Sequence, residues 1–440
     1  MTEEIKVKNS KKLLIILGIA ALTGYSWYSI IGSGMEEQKK YENYLQTARE
    51  KAELGVVSGA VKNYDNALAL HDSVDIRLEK AQCYLLDDQI DDFIDTCEAA
   101  VELEPFNVKP YEALMEYYFE NGQYSGCYDV YSETKSKEIA SQSIQEYFEQ
   151  MKYEYKFEFD SYDNITEYRN GYAITCNSDG YYSYVNSSAG RAFGGKYIKA
   201  TPFTEGYATV IDKSGQAMVI NNNGVKTYVD ESKREITDVK SYVTYGFAIQ
   251  VDGKYTYVNL QFEDIGGSYD DAGAFINGFA VVRDGEKWYI VDETLKKSEK
   301  AFDYIKTDFV DVAFRMQRGF GKLGDSYYLI DTSGEMVNGE AYEDADVFFN
   351  GYAAVKKNGK WGFIDGNGTQ VIEPQYDDAK SFANGYAAVC RNGEWFFIDE
   401  YGEEVISGDF SGAYDMRADG CAFVCVNNKW KLLELYSFGH

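Results

Sequence analysis

Pairs of adjacent carboxylates are the residues of this sequence whose type and spacing could do chemistry. The pairs are Asp270–Asp271, Asp377–Asp378 and Glu403–Glu404. Two carboxyls that flank a glycosidic bond are the machinery of glycoside hydrolysis. The pairs recur with a repeated sequence pattern, however, which favours solvated turn residues. We therefore predict no catalytic residue and no enzyme activity, and we keep a carboxylate-based hydrolase as a third hypothesis.

Other catalytic and metal-binding sets are missing from the sequence. Only two histidines exist, His71 and His440, so neither a catalytic triad nor a three-histidine metal site can form. No Gly-rich phosphate loop followed by Lys and Ser or Thr is present. Asp365-Gly366-Asn367-Gly368 resembles the start of a calcium loop, but the twelfth position is Tyr376 instead of Glu, so a β-turn explains it better. We predict no metal and no cofactor.

The seven cysteines form an odd set without a C-x-x-C motif. They are Cys83, Cys97, Cys127, Cys176, Cys390, Cys421 and Cys425. We interpret all seven as small apolar residues of the core.

Charge and composition exclude several classes of partner. The formal net charge is -29, and such a surface repels the phosphates of nucleic acid and of anionic lipid. Tyr (40) and Phe (25) are abundant and Pro (4) is scarce, which is typical of a strand-rich, ordered protein. We therefore predict no nucleic-acid partner.

An uncharged stretch, residues 13–32, is long enough to cross a bilayer as a helix. No small-residue cleavage site ends it, which favours an uncleaved anchor over a signal peptide. Four lysines precede it within residues 1–12, and two follow it closely, so the positive-inside bias places the N-terminus in the cytoplasm. We predict a cytoplasmic tail at 1–12, a transmembrane helix at 13–32, a linker at 33–40 and an extracytoplasmic body, although unpaired cysteines are more common in reducing compartments.

Residues 41–151 have helical periodicity, and their pattern repeats. The turns between paired helices fall at Glu53-Leu54-Gly55, Leu86-Asp87-Asp88 and Glu120-Asn121-Gly122, and a capping helix is predicted from Lys137 to Met151. The even spacing of these turns matches the tetratricopeptide period, and the segment resembles that repeat family. The resemblance implies a concave surface for peptides or proteins. A rigid spacer is the alternative.

From residue 155 to 436 a strand-turn-strand unit recurs. Eight copies begin at Gly171, Gly206, Gly246, Gly278, Asp311, Gly351, Gly385 and Gly420. Two-residue turns such as Asn358-Gly359 and Asn392-Gly393 suit type I′ hairpins. A third strand is predicted after every hairpin except the last, and an aromatic residue stands nine positions before six of the eight units: Tyr162, Tyr197, Tyr269, Phe302, Tyr342 and Tyr376.

One segment with the pattern of a third strand stands before the first hairpin. The last hairpin, in contrast, has no third strand after it. Joining the two would close a ring and remove exposed strand edges. We predict a propeller-like ring of about eight small blades, with an open superhelical array as the alternative. Trp361, Trp395 and Trp430 are expected to fill the core between blades in preference to stacking on sugars.

The residues Gly351-Tyr352-Ala353 and Lys360-Trp361-Gly362-Phe363-Ile364-Asp365 resemble the bacterial WG-repeat family, and the pattern covers about residues 155–435. The resemblance implies an envelope-associated interaction module. We predict a non-enzymatic, single-pass membrane protein that acts as a protein-interaction scaffold, with binding of a cell-wall glycan as the alternative function. The sequence does not identify the partner-binding residues.

Overall fold

The computed structural model describes residues 34–438, which divide into a helical unit that ends at Glu154 and a strand-rich unit, Tyr155–Phe438. The helices are α1 (Gly34–Glu53), α2 (Val57–Leu68), α3 (Val74–Leu85), α4 (Ile90–Leu103), α5 (Val108–Glu120), α6 (Tyr124–Ser136) and α7 (Gln142–Met151). Because α1 begins at Gly34, most of the predicted linker at 33–40 is helical instead.

The predicted membrane helix, residues 13–32, lies outside the described residues. Within residues 34–438, no helix combines the length and the apolar character that a membrane crossing requires.

The helical unit repeats itself with the predicted spacing of its turns. The turns α1–α2, α3–α4 and α5–α6 contain Gly55, Asp88 and Gly122, which all have positive φ. The second helix of each pair buries residues at matching positions: Ala60, Tyr64 and Ala67 in α2, Phe93, Cys97 and Ala100 in α4, and Cys127 and Thr134 in α6. The capping helix α7 begins at Gln142 and not at Lys137, because Ser141 caps it by accepting from the Ile144 N–H.

The strand-rich unit contains short strands joined mostly by tight turns. In chain order they are β1 (Tyr155–Tyr162), β2 (Ala173–Cys176), β3 (Tyr182–Val185), β4 (Tyr197–Ala200), β5 (Tyr207–Asp212), β6 (Ala217–Asn221), β7 (Lys226–Val229), β8 (Ile236–Val239), β9 (Phe247–Val251), β10 (Lys254–Val258), β11 (Asp264–Tyr269), β12 (Asp271–Ala272), β13 (Phe279–Asp284), β14 (Lys287–Asp292) and β15 (Lys297–Phe302). They continue with β16 (Tyr304–Ile305), β17 (Arg318–Leu323), β18 (Ser326–Asp331), β19 (Met336–Tyr342), β20 (Asp344–Ala345), β21 (Tyr352–Lys357), β22 (Lys360–Asp365), β23 (Gln370–Tyr376), β24 (Asp378–Ala379), β25 (Tyr386–Arg391), β26 (Glu394–Asp399), β27 (Glu404–Phe410), β28 (Gly412–Ala413), β29 (Cys421–Val426) and β30 (Lys429–Leu435).

These strands form seven antiparallel sheets, the blades of a β-propeller. A regular sheet has a short inner strand, a hairpin and an outer strand, as in β20-β21-β22-β23 and β24-β25-β26-β27. Aromatic and aliphatic side chains fill the space between neighbouring sheets, as where Phe320 and Leu329 pack against Phe348 and Ala353.

The prediction of about eight separate blades is wrong, because the strands form seven sheets. All eight hairpins are present, but the first two belong to one six-stranded sheet, β2-β3-β4-β5-β6-β7. The two are joined because β4 pairs on both sides: Tyr197 pairs with Tyr182 of β3 and also with Asp212 of β5. β4 is thus the outer strand of the first hairpin and also the inner strand of the second.

The ring is closed by strand pairing between its two ends, as predicted. The first strand, β1, pairs with the last, β30, from Tyr155 opposite Leu435 to Tyr162 opposite Trp430. The first and last hairpins also share a core in which Ile165 and Ala173 pack with Cys421 and Leu432. Closure removes the exposed edges that an open array would leave at each end.

The unit predicted to begin at Asp311 begins later. Its first strand is Arg318–Leu323, and the tight turn before it is formed by Met316 and Gln317. In the regular units that turn is Asn-Gly, as at Asn350-Gly351. More residues separate Phe302 from this turn than separate Tyr342 from the turn at Asn350-Gly351. The unit therefore contains an insertion before its first hairpin strand.

Candidate functional site

The first aspartate of two of the adjacent pairs caps a hairpin turn, whereas Asp271 pairs with Lys240 and Glu404 with Arg391. Asp270 accepts a hydrogen bond from the Gly285 N–H at 2.7 Å, and Asp377 accepts one from the Asn392 N–H at 2.7 Å. Each also pairs with a lysine of the preceding hairpin, Lys254 and Lys360 respectively. These carboxylates therefore hold neighbouring hairpins together, and they do not converge on a common site.

The sequence that resembles the start of a calcium loop is a turn. Asp365 Oδ1 accepts from the Asn367 N–H at 2.9 Å and from the Thr369 N–H at 2.8 Å. The aspartate at the same place in other units makes the same turn, as Asp331 and Asp399 do. Within residues 34–438, no three His, Cys, Asp or Glu side chains are placed to hold a metal ion.

The tryptophans and cysteines serve mostly as core residues. Trp361 is buried in an inter-sheet cluster, Trp430 stacks on Tyr414 with ring centres 4.4 Å apart, and Trp395 is half-buried. All seven cysteines are free thiols. Five of them are buried, whereas Cys176 and Cys425 are half-buried, contrary to prediction.

A cluster of ionisable residues lies where the inner strands of the ring end. It consists of Glu167, Arg169, Asp346, Lys380 and Asp415, which we call the axial cluster. Lys380 follows β24 directly, and Asp346 follows β20 directly. Inner strands line the axis of a propeller, so side chains at their ends from distant parts of the sequence meet there.

Arg169 is the centre of the axial cluster. Its Nη2 donates to Asp415 at 2.8 Å and lies 3.4 Å from a carboxyl oxygen of Glu167. Its guanidinium lies 5.0 Å from the ring centre of Phe309 and 4.5 Å from that of Phe349. Arg169 belongs to the first hairpin unit and Phe309 to the fifth, so this contact spans the axis of the ring.

The inserted residues bring Phe309 to the axis. We call residues 306–317 the plug loop. Asp308 shapes it by accepting from the Val310 and Val312 N–H groups at 3.0 and 2.9 Å. Val310 and Val312 pack with Val243 and Ala274 of the third and fourth hairpin units.

A second ion pair fixes the tip of the plug loop. Asp311 accepts from Lys240 Nζ at 3.2 Å and from the Ser241 N–H at 3.3 Å. The plug loop therefore reaches from the fifth unit to the third and lies across the axis at this end.

Burial shifts the protonation equilibria of the axial cluster. Burial raises the pKa of Glu167 to about 8, and the neighbouring Asp415 adds to this rise. Burial also raises the pKa of Asp346, against the effect of Lys380. For Lys380 burial lowers the pKa, but the carboxyls of Glu167, Asp346 and Asp415 outweigh it and raise the pKa overall.

The axial cluster places Glu167, a carboxyl with a raised pKa, close to a second carboxyl, Asp415, which is a combination that glycoside hydrolases use. In such an enzyme the substrate bond lies between the two carboxyls. Here the guanidinium of Arg169 occupies that position, and two phenylalanine rings cover it. The arrangement suits a buried ion network that joins the ends of the ring.

The helical unit carries a different acidic feature, which we call the acidic face: Glu112, Glu116 and Glu120 of α5 with Tyr147 of α7. The glutamates recur at every fourth position and so share one side of α5. Glu112 accepts from Ser141 at 2.7 Å and from Ser143 at 2.9 Å. Phe119 packs against Tyr147 with ring centres 4.8 Å apart.

No salt bridge neutralises the three glutamates in the described part of the chain. Burial and the nearby Glu120 raise the pKa of Glu116. Burial and the charges of Glu116 and Glu120 raise the pKa of Tyr147. A cation that bound here would relieve this repulsion.

Neither the axial cluster nor the acidic face is apparent from the sequence. Arg169 and Asp415 are 246 residues apart, and only the closed ring brings them together. One signal was available: the position after the inner strand is occupied by ionisable residues in several units, including Lys240, Asp346 and Lys380. For the acidic face, the signal was the helical spacing of its three glutamates.

Comparison with known proteins identifies the repeat. The family model described as a WG containing repeat matches residues 267–288, 329–361, 361–395 and 395–430, so the strand-rich unit contains WG repeats across residues 267–430. No curated protein matches the chain.

Several solved structures are similar in shape to part of the chain. The computationally designed Ika8 protein is 11% identical, with a TM-score of 0.43, and the similarity covers 64% of this chain and 98% of Ika8. BamB from Moraxella catarrhalis is 10% identical, with a TM-score of 0.43 and coverage of 64% and 99%. Hsv2 of Kluyveromyces lactis is 9% identical, with a TM-score of 0.33 and coverage of 62% and 90%.

Proposed function

We propose that this protein is a non-enzymatic, membrane-anchored envelope protein that acts as a scaffold, and that its helical unit binds a basic segment of a partner protein. The observation that carries the proposal is the acidic face of α5. Three glutamates without a cationic partner in the described part of the chain lie beside Tyr147, and one of them, Glu116, has a raised pKa. Such a surface favours a ligand that supplies positive charge.

The repeat of the helical unit supports a peptide-binding role. Its helix pairs have the period of tetratricopeptide repeats, which stack into curved surfaces. The first helix of the third pair, α5, carries the glutamates, and α7 packs beside it and supplies Tyr147. A lysine or arginine side chain could pair with Glu116 or Glu120 while its alkyl part packs on the tyrosine ring.

The absence of catalysis in this proposal rests on Arg169. The two carboxyls most suited to hydrolysis both contact its guanidinium, which also lies against the rings of Phe309 and Phe349. The membrane anchor, residues 13–32, and the extracytoplasmic location of the body remain part of the proposal. Digestion of the body by protease added to cells with a permeable wall would support that location, and protection from the protease would contradict it.

A titration with short peptides tests the proposed binding. Full-length protein in detergent is titrated with a lysine-rich peptide and with the same peptide in which glutamine replaces lysine. We expect only the lysine peptide to bind. The double variant Glu116→Gln and Glu120→Gln should weaken it tenfold or more, since each charge-assisted contact contributes about 1 kcal/mol.

The matched control is Asp95→Asn with Glu102→Gln, which removes two exposed charges from α4. Overall attraction between a basic peptide and an acidic protein would fall equally in both double variants. Equal weakening would therefore contradict a specific site on α5.

Binding of a cell-wall glycan is the second candidate function. A groove lined by tyrosines beside the first hairpin, between β3 and β4, favours it, because flat aromatic rings stack on the faces of sugars. This groove and the acidic face belong to different units of the protein, so the two functions can be tested separately.

A further inference from the structure

Two adjoining hollows lie on the six-stranded sheet, and we call them together the tyrosine groove. The first has a volume of about 240 Å³, and its walls include Tyr162, Tyr181, Tyr182, Asn177, Arg191 and Lys196. The second has a volume of about 400 Å³ and is lined in part by Tyr197, Lys213 and Lys226. Gly195 and Lys196 line both hollows, so the two hollows are neighbours.

The tyrosine groove exists because the outer strand of the first hairpin is irregular. In the regular unit β21–β22, the outer strand β23 spans Gln370–Tyr376. In the first unit the corresponding segment is Arg191-Ala192-Phe193-Gly194-Gly195-Lys196, of which only Arg191 forms an isolated bridge, to Val185. A hollow remains here because the segment forms no regular strand, and Gly195, which lines the hollow, has no side chain.

The other residues of that segment maintain the hollow. Phe193 turns toward the core and packs on Tyr184 with ring centres 5.3 Å apart. A Cβ atom on Gly195 would lie 2.6 Å from the ring of Tyr197. A larger residue at position 195 would therefore collide with the groove wall, and glycine keeps the groove open.

The charge of the tyrosine groove is opposite to that of the protein. Four basic residues line it, Arg191, Lys196, Lys213 and Lys226, although the protein as a whole has a formal charge of -29. Asp212 is the one carboxylate among the lining residues, and it is engaged in its own turn, where it accepts from the Ser214 N–H at 2.8 Å.

The basic side chains of the groove are available to a ligand. In the part of the chain that the structure describes, Arg191, Lys196 and Lys213 form no salt bridge. Lys196 Nζ lies 5.6 Å from the ring centre of Tyr181, so one aromatic face is next to a cation. A ligand that carries both a flat apolar face and a negative charge matches this pair of groups.

We propose that the tyrosine groove is a binding site for an acidic glycan, a sugar chain that carries carboxylate groups. This inference rests on the second of the two proposed functions and specifies its ligand. Sugar faces would stack on Tyr181 and Tyr182, carboxylates would pair with Arg191 and Lys196, and Asn177 would hydrogen-bond to hydroxyl groups.

An extended acidic peptide fits the groove less well. Peptides that bind to sheets add a strand to an unpaired edge, where main-chain hydrogen bonds provide the affinity. The edge of β3 is already used: the Ala192 N–H donates to the Tyr184 carbonyl at 3.0 Å, and Tyr182 pairs with Tyr197. Recognition must therefore come from side chains.

Calorimetry with defined sugars tests the proposal on the full-length protein in detergent. The probes are an oligomer of galacturonic acid, the uncharged galactose oligomer of equal length, and poly-glutamate of similar charge. We expect the uronic acid oligomer to bind, with weaker binding at higher salt. Tyr181→Ala and Lys196→Ala should each weaken it at least fivefold.

The control variants match the two substitutions in type but lie outside the groove. Tyr401→Ala removes a tyrosine that is 89% exposed, and Lys296→Ala removes an exposed lysine from a turn. Both should bind the uronic acid oligomer as the unaltered protein does. No binding of that oligomer, equal binding of the uncharged oligomer or of poly-glutamate, or equal losses in the control variants would each overturn the proposal.

The result is independent of the peptide titration. If the α5 variant no longer binds the lysine peptide but binds the uronic acid oligomer as before, both sites are supported. Failure of the sugar to bind while the peptide binds would overturn this inference and leave the scaffold proposal intact.

Discussion

Arg169 and Asp415, which are 246 residues apart in the chain, are joined by a 2.8 Å hydrogen bond from the guanidinium Nη2 to a carboxylate oxygen. Arg169 belongs to the first hairpin unit of the ring and Asp415 to the last. The bond therefore links the two ends of the propeller near its axis, at a distance from the outer edge where β1 pairs with β30. Both connections join the ends of the ring, and each can be tested by itself.

We expect Arg169→Met to destabilise the propeller by about 2 to 3 kcal/mol, because it removes the guanidinium that donates to Asp415 and leaves Lys380 as the remaining cation of the axial cluster. The free energy of unfolding by urea measures the effect. Lys300→Met, which removes an exposed partner of Glu335, should cost less than about 1 kcal/mol. A similar loss in the two variants would show that the axial ion pair has no special role.

The stability of the propeller should depend on the ionisation of Glu167. The pKa of this carboxyl is about 8 in the folded protein and 4.5 in an unfolded chain, so the folded state holds the proton more tightly. Its contribution to stability is fully present below pH 4.5 and is lost as the pH rises through 8. A glutamine side chain resembles the protonated acid, and its contribution to stability does not change with pH.

The variant Glu167→Gln should therefore gain stability relative to the unaltered protein between pH 5 and pH 9, by on the order of 2 to 4 kcal/mol. Urea unfolding at several pH values gives this difference. The exposed Glu286→Gln serves as the control and should show a constant difference. A constant difference for Glu167→Gln as well would mean that Glu167 has an ordinary pKa.

The turn at Met316 and Gln317 should be strained. Both residues have positive φ, 53° and 61°, in a turn that is Asn350-Gly351 in the next unit. Left-handed backbone conformations cost non-glycine residues about 1 kcal/mol each. Met316→Asn with Gln317→Gly should therefore raise the free energy of unfolding by about 1 kcal/mol. This value allows for the flexibility that glycine adds to the unfolded chain, which opposes the gain.

The reverse exchange is the control for this turn. Asn350→Met with Gly351→Gln should lower the free energy of unfolding by about 1 to 2 kcal/mol, since it places the same residues at an unstrained turn. If the first double variant were less stable than the unaltered protein, the plug loop would need Met316 or Gln317 for a contact of its own.

The pairing of β1 with β30 should protect the end of the chain from hydrogen exchange. Replacing residues 155–162 with an equal length of Gly and Ser removes the partner strand while it keeps the chain length. Exchange should then accelerate at least tenfold at the β30 amides that bond to β1, because they lose those hydrogen bonds, whereas the β30 amides that bond to β29 keep theirs. Exchange in β21, Tyr352–Lys357, should stay unchanged. Unaltered exchange in β30 would contradict strand closure.

Hairpins were predictable from the sequence because their turns are local. Asn358-Gly359 and Asn392-Gly393 both adopt the positive φ angles that such pairs allow, and each lies between two strands. The same logic failed where Met316 and Gln317 form the turn without glycine or asparagine. The regular spacing therefore predicts a unit at Asp311 and gives no sign of the plug loop.

The number of sheets and the candidate sites were harder to predict, for different reasons. The joining of the first two hairpins depends on the single residue pair Tyr182 and Tyr197, which no sequence pattern indicates. The axial cluster depends on closure of the ring, since Arg169 meets Asp415 only when the ends are joined. The tyrosine groove depends on where Phe193 packs, which is a property of the tertiary structure.

Retrieval of bound proteins from membranes tests directly whether the acidic face of α5 binds a partner protein. Tagged protein is retrieved from native membranes in three forms: unaltered, with Glu116→Gln and Glu120→Gln, and with the control Asp95→Asn and Glu102→Gln. After cross-linking, bound proteins are identified and the linked residues are mapped by mass spectrometry. We expect a partner that cross-links beside Glu112, Glu116 or Glu120 through a basic segment, is retained by the control and is lost from the α5 variant. The same partners at the same sites in all three forms would contradict it.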